Sequence, residues 1–231
     1  MQGRKANGNT ESVDNYLKAI FYLGGPKECR VTIKSLAGRL SVAPASVTNM
    51  LQKLAASPAP LVEYERHRGV QLSLAGKRRA LEVVRHHRLI ETFLYEVLDY
   101  PLDEVHDEAE RLEHFISERF EERIAAKLGH PSIDPHGHSI PTMEGEMAAQ
   151  DSMLLADVVH AGTFLIDSVS DRDVRNLRLI EACGITPGAR LRVRQDASPT
   201  GYSVSIGRSL KAFELSREVA QDVRIVRVPK A

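Results

Sequence analysis

Apolar residues recur at helical spacing through the first quarter of the chain. From Ser12, the positions Val13, Tyr16, Leu17, Ile20, Phe21 and Leu23 repeat at this spacing, and Gly24-Gly25-Pro26 ends the run with residues that cannot continue a helix. This predicts a first helix of about a dozen residues. Thr32 then stands as an N-cap before Ile33, Leu36, Ala37 and Leu40, and a break at Ser41-Val42-Ala43-Pro44 leads into Val47, Met50, Leu51 and Leu54. Two short helices joined by a tight turn make a helix-turn-helix. Strand-like alternation follows in Leu61-Val62-Glu63-Tyr64-Glu65 and again in Val70-Gln71-Leu72-Ser73-Leu74. The charged turn Arg66-His67-Arg68-Gly69 between them completes a wing.

After Ala75-Gly76-Lys77 the pattern predicts a long helix to about Leu98, with Leu81, Val84, Leu89, Phe93, Leu94 and Val97 as its apolar residues. Tyr100-Pro101 breaks it. Asp103 and Glu104 open the next helix, whose buried stripe is Val105, Ala109, Leu112, Ile116 and Phe120. Residues 130 to about 160, rich in Pro, Gly and polar groups, read as a linker. Beyond them a short helix at 175–183, a turn at Pro187-Gly188 and alternating runs at 191–193, 202–206 and 223–228 predict a small β-rich domain.

The apolar stripe of the second helix-turn-helix helix turns Ala45, Ser46, Thr48, Asn49, Gln52 and Lys53 outward, with Ala43 and Pro44 at its start. Short polar side chains suit a helix pressed into a major groove. Thr and Asn donate and accept at base edges, Ala45 packs on a thymine methyl, and Lys53 reaches phosphate. Arg66 and Arg68 in the wing are placed for phosphate or the minor groove. The same pattern alone also fits an ordinary amphipathic hairpin, so the wing is what favours double-stranded DNA as partner.

The formal net charge is +0, which conceals an asymmetry. Residues 1–90 carry 15 Lys/Arg against 6 Asp/Glu, and residues 91–150 carry 4 against 15. A basic block attracts phosphate backbones. The acidic block is also where histidine collects, since seven of the nine lie from His86 to His138. His87 and Glu91 are four apart on one helix face. His106, Glu110, Glu113 and His114 surround the stripe of the next helix, with Glu110 and His114 again four apart. The alternative is a set of surface residues in intrahelical pairs. If they bind metal, carboxylates and imidazoles without a thiolate favour Mn(II) or Fe(II) over zinc or copper. Cys29 and Cys183, the only cysteines, make no disulfide framework and read as inert thiols. No stretch reaches the roughly 18 apolar residues of a membrane span, and no apolar run follows the first Met, so a cytoplasmic protein with no membrane partner is expected.

Several segments together resemble the DtxR/MntR family of bacterial metal-dependent regulators. They are Ser12-Val13-Asp14-Asn15-Tyr16-Leu17-Lys18-Ala19-Ile20, the Arg88-Leu89 after His87, Val105-His106-Asp107-Glu108-Ala109-Glu110 with Glu113-His114, and Asp134-Pro135-His136-Gly137-His138-Ser139-Ile140-Pro141. The resemblance implies a winged helix-turn-helix at 1–76, a helical dimerisation and metal-binding domain at 77–145, a linker at 146–160 and an SH3-like β-barrel at 161–231. The chain is thus expected to be mainly α with a β-rich end. A primary metal site is implied at Asn15, Glu110, Glu113 and His114. Glu110 matches the manganese-type pattern, whereas Asn15 departs from the family's usual Asp or Met. An ancillary site is implied at His87, Glu91 and His106, with Asp173 and Asn176 from the last domain and Asp171 as substitute for Asp173. His136 and His138 fall in what the family uses as a connector. The implied function is a non-enzymatic repressor that binds palindromic operators as a homodimer when Mn(II), or alternatively Fe(II), is bound. A winged-helix regulator sensing an organic ligand is the rival. A di-metal enzyme would want Glu-x-x-His on two helices, which this chain lacks.

Overall fold

A computed structural model describes residues 8–148, 151–194, 200–209 and 211–228. They form two compact units interleaved along the chain. The first takes the described part of Met1–Ile90, Ala109–His130 and Ile140–Ala149, and the second takes Glu91–Glu108, Pro131–Ser139 and the described part of Gln150–Ala231.

In the first unit, helix α1 (Gly8–Gly24) starts before Ser12 and turns out at Gly25. Thr32 caps α2 (Ile33–Leu40), its Oγ1 accepting from the Ser35 amide at 3.1 Å. Ser41 ends α2 in the left-handed region, and α3 (Pro44–Ala55) begins with proline in the first turn, where a missing N–H costs nothing. Leu17, Leu36, Val47, Leu51 and Val70 are fully buried together. Each such side chain stabilises by about 1.5 to 3 kcal/mol. Strands β1 (Val62–Glu65) and β2 (Gly69–Leu72) pair antiparallel, and Val31 bridges to Val70 as a third rung. Glycine is required at the wing's base. At Gly69, φ is +89 and a Cβ would fall 2.4 Å from the Val31 carbonyl oxygen.

Helix α4 (Leu74–Leu98) ends where expected but begins already at Leu74, the residue given to the end of the wing's second strand, which in fact stops at Leu72. The next prediction fails at its far end. In place of one helix through Phe120 there are two, α5 (Leu102–Leu112) and α6 (Glu118–Lys127). Ser117 is the reason on the second helix's side: its Oγ accepts from the Phe120 amide, and Glu118 and Glu121 occupy the first turn, where carboxylates complement the helix dipole. Phe115 N bonds back to Leu112 O, and Leu112 and Phe120 are exposed instead of lining a stripe. Glu121 fixes α6 to α4 through Arg85 and through His86, 3.0 Å away. Burial alone would lower the His86 pKa and raise that of Glu121, yet their mutual hydrogen bond and charge move both the other way.

In the second unit, an antiparallel six-stranded sheet has the order β3-β8-β4-β5-β6-β7. The strands are β3 (Met153–Leu154), β4 (Gly162–Val169), β5 (Arg190–Val193), β6 (Gly201–Ile206), β7 (Phe213–Ser216) and β8 (Val223–Arg227), with α7 (Val174–Ala182) and α8 (Arg217–Ala220) between them. Leu155, Ile166, Leu177, Ile180, Leu191, Tyr202 and Ile225 fill its interior. Strand β3 and the 3-10 turn Leu155–Asp157 belong to this sheet and core, which corrects their placement in a linker over 146–160. The connector also proves ordered: Val169 N donates to His136 O at 2.9 Å, and a Cβ on Gly137 would meet Asp167 O at 2.2 Å. No described helix is long and apolar enough to cross a membrane.

Candidate nucleic-acid interface and metal centres

On α3, Ala45, Ser46, Asn49, Gln52 and Lys53 are exposed, as are Ala43 and Pro44 before them. Thr48 is half-buried and its hydroxyl donates to Pro44 O at 3.1 Å. Ala43 provides no side-chain cap, and the Ser46 and Val47 amides return to Ala43 O at 3.0 and 3.2 Å. An open cleft of about 650 Å³ between α3 and the wing is lined by Thr48, Gln52, Tyr64, Arg66 and Arg68 among others. Sequence reading overlooked Arg30. It reaches Glu65 at 2.6 Å, and Arg68 reaches the same carboxylate at 3.3 Å, so the wing's acid is neutralised from both sides.

Glu113 is the hub of a buried cluster in the same unit. Lys18 Nζ donates to its Oε1 at 2.6 Å and to Glu110 Oε1 at 2.5 Å. His87 Nδ1 lies 2.6 Å from the other Glu113 oxygen. His114 Nε2 is 3.4 Å from Glu113 Oε1 and 3.0 Å from Asn15 Oδ1. All four residues expected for the primary site therefore gather around the end of α5 and the face of α1. Glu113 and His114 stand in the turn after α5, so turn geometry, not helical spacing, brings His114 to Asn15. Burial alone would lower the Lys18 pKa, but the Glu113 and Glu110 charges and hydrogen bonds raise it, and it stays an ammonium. Ligating atoms of His87, Glu110 and Glu113 lie within 4.8 Å of one another, and this oxygen- and imidazole-rich set fits a hard or borderline divalent cation.

The second unit holds another cluster, centred on Glu91. His106 Nδ1 is 3.4 Å from Glu91 Oε1 and 3.0 Å from Asp171 Oδ2. His136 Nδ1 is 3.9 Å from Glu91 Oε2. Burial alone would lower the His106 pKa, but Asp171 and Glu91 push it up to about 10. Asp171 is held well below the usual carboxylate range: burial would raise it, and the His106 hydrogen bond outweighs that. Asp173 does not join them. Its carboxylate caps α7 and pairs with Arg175 at 3.1 Å, while the Asn176 amide donates to Asp222 at 2.7 Å. Asp171, the substitute, is the acid that meets His106.

Glu91, Asp134 and His136 form a further fully buried group with ligating atoms within 4.8 Å. Asp134 Oδ1 accepts from the His136 and His138 amides at 2.9 Å each, folding the Asp-Pro-His-Gly-His segment into a tight turn. Both His136 ring nitrogens are buried without a hydrogen-bond partner, a costly arrangement unless something electrophilic takes the lone pair. The sequence signal was the pair of histidines flanking Gly137, which the connector reading set aside.

Three family models match in succession. "Iron dependent repressor, N-terminal DNA binding domain" covers residues 9–70, "Iron dependent repressor, metal binding and dimerisation domain" covers 73–142, and "FeoA domain" covers 153–227. The iron-dependent repressor IdeR of Mycobacterium leprae is 28% identical, aligned over 96% of this chain and all of that protein. The HTH-type transcriptional regulator MntR of Oceanobacillus iheyensis is 33% identical over 50% of this chain and 76% of its own length. A solved manganese-dependent transcriptional repressor in complex with manganese superposes with a TM-score of 0.86 at 36% identity, covering 94% of this chain and all of that one.

Proposed function

Because this chain belongs to the DtxR/MntR family of metal-dependent transcriptional repressors, we propose that it acts in the cytoplasm as a homodimer. In this reading it grips a palindromic operator when Mn(II), or alternatively Fe(II), occupies a site made by Asn15, Glu110, Glu113 and His114. The observation that carries this is the approach of His114 to Asn15, a residue of the helix that begins the DNA-reading head. A divalent ion there would supply coordination bonds joining α1 to the turn after α5. Asn15 contributes a neutral oxygen, Glu110 and Glu113 the charge, and His114 the imidazole. Restraining α1 restrains α3, since both share one core through Leu17, Leu36 and Leu51. Two heads held about one helical turn of DNA apart, roughly 34 Å, match a palindrome. Manganese is favoured by the absence of a thiolate and by the carboxylate at position 110.

A second site is read at Glu91, His106 and Asp171, with Asp134 and His136 beside them. His87, one turn before Glu91 on α4, is the remaining donor that family likeness implies, although its Nδ1 faces Glu113.

The direct test is a gel shift against operator fragments selected from a random pool, with Mn(II), Fe(II) and Zn(II) added in turn to metal-free protein. A shift that ignores metal would refute the reading. Recognition divides between the wing and α3. Arg66→Gln with Arg68→Gln is expected to weaken operator and random DNA alike and to reduce the slope of log affinity against log salt by about 2. Asn49→Ala is expected to cost about 1 to 3 kcal/mol on the operator and to relax one base position. Fluorescence anisotropy over a salt series measures both, and an equal loss on all sequences would move Asn49 from base reading to backbone contact.

A further inference from the structure

Asn15 and Lys18 are three residues apart on α1, and their side chains enter the same cluster. Asn15 brings no charge. Lys18 brings one, and its side chain is only 7% exposed, with Nζ donating to one oxygen of each acid of the primary site, Glu110 at 2.5 Å and Glu113 at 2.6 Å. The second Glu113 oxygen is engaged by His87 at 2.6 Å. The two acids are thus half neutralised from within, by a buried ammonium carried on the helix that also carries Asn15.

Two consequences follow from the charges. Without metal, Lys18 prevents Glu110 and Glu113 from repelling each other and keeps α1 seated on the turn after α5. With metal, an ammonium and a divalent cation would have to share one pair of carboxylates at close range, an arrangement that like-charge repulsion opposes most at Glu113, whose side chain is shielded from water. The flexible four-carbon stem of lysine gives the ammonium somewhere to go.

We propose that Lys18 is a built-in counter-ion, displaced by the incoming divalent cation, that sets the metal concentration at which the regulator responds. This rests on the assignment of Asn15, Glu110, Glu113 and His114 as the metal site. The ammonium and the metal are alternative clamps on the same helix. The ammonium clamp is monovalent and adjustable, and the metal clamp is divalent and directional. A lysine serving only as a structural ion pair would influence stability and leave metal affinity unchanged.

The experiment compares the full metal-free chain with Lys18→Met and Lys18→Arg, titrating Mn(II) by calorimetry and following unfolding of the metal-free forms. Lys18→Met is expected to bind Mn(II) at least about tenfold tighter than the parent while its metal-free form melts lower, and Lys18→Arg to bind no tighter than the parent. If the methionine variant fails to fold without metal, the parent itself decides, labelled with nitrogen-15 at lysine and titrated with diamagnetic Cd(II). The protected Lys18 ammonium resonance, assigned by its absence from the arginine variant, is expected to vanish or move at saturation. Unchanged or weaker Mn(II) binding by Lys18→Met, or an ammonium signal that persists unshifted, overturns the inference and leaves the site assignment intact. A parent that takes up neither ion overturns both.

Discussion

Glu113→Ala is expected to erase the metal response and to weaken the metal-free fold by about 3 to 5 kcal/mol, the scale of breaking a buried ion pair from one side. Its carboxylate meets three cluster members: Lys18 and His87, each within 2.6 Å, and His114 at 3.4 Å. Its carboxylate is wholly inaccessible, so alanine leaves Lys18 with a single acid and His87 with none at Glu113. The gain in operator affinity on adding Mn(II), typically about 5- to 150-fold for a coupled site, should fall to none. Glu113→Gln separates the two losses. It keeps the shape and some hydrogen bonding, and it should recover part of the stability while remaining unresponsive to metal. Urea denaturation of metal-free protein and gel shifts with and without Mn(II) measure these effects. A normal metal-dependent shift by the alanine variant would dismantle the primary-site assignment.

The second large effect concerns pH. His106, with a pKa near 10 in the fold, binds its proton more tightly than in the unfolded chain, whose value is about 6.5. A raised folded pKa means that its stabilisation is fully present below about pH 6.5 and fades as pH climbs through about 10. For metal-free protein, stability of the β-rich unit should therefore fall by a few kcal/mol at most across that window. Asp171→Asn, which removes the principal partner, should flatten the dependence and return the His106 titration toward its ordinary value. An imidazole must shed its proton to ligate a cation, so metal uptake at the Glu91 cluster should release a proton and strengthen with rising pH. Histidine NMR titration of metal-free protein, and calorimetry in buffers of different ionisation enthalpy, read these outcomes. A His106 that titrates normally in the parent would remove the basis for both.

The helix-turn-helix and wing were legible because short-range rules decide them. Thr32 caps where expected, Pro44 opens α3, and the alternation on either side of Arg66 and Arg68 forms the hairpin. The division between α5 and α6 was not legible from apolar spacing, since Ile116 and Phe120 continue the period. Ser117 overrules it through one cap and the acids that follow. The terminal sheet was legible only in part, because β4 is paired on both edges and carries a bulge between Ile166 and Ser168, which breaks simple alternation. Of the chemistry, Glu110, Glu113 and His114 announced themselves by spacing on a helix that in fact ends before two of them. Lys18 did not, because a lysine in an amphipathic helix normally points to water and nothing local marks it as buried. Asp171 rather than Asp173 meets His106 because Asp173 is spent as the N-cap of α7, a competition visible only once the helix start is known.

The interleaving of the two compact units bears on how this protein can be taken apart. The backbone passes between them five times, at 90/91, 108/109, 130/131, 139/140 and 149/150, so no single scission yields both units whole. A protease cut or stop codon near 150 would spare Asn15, Lys18, Glu110, Glu113 and His114 while discarding Asp171 and every strand of the sheet. His106 would lose Asp171 and keep Glu91, and the turn at His136 would lose its Val169 partner. A shortened chain of this kind keeps every donor of the proposed primary site and loses, of the proposed second set, Asp171 alone, so it is a trimmed protein and not a detachable module.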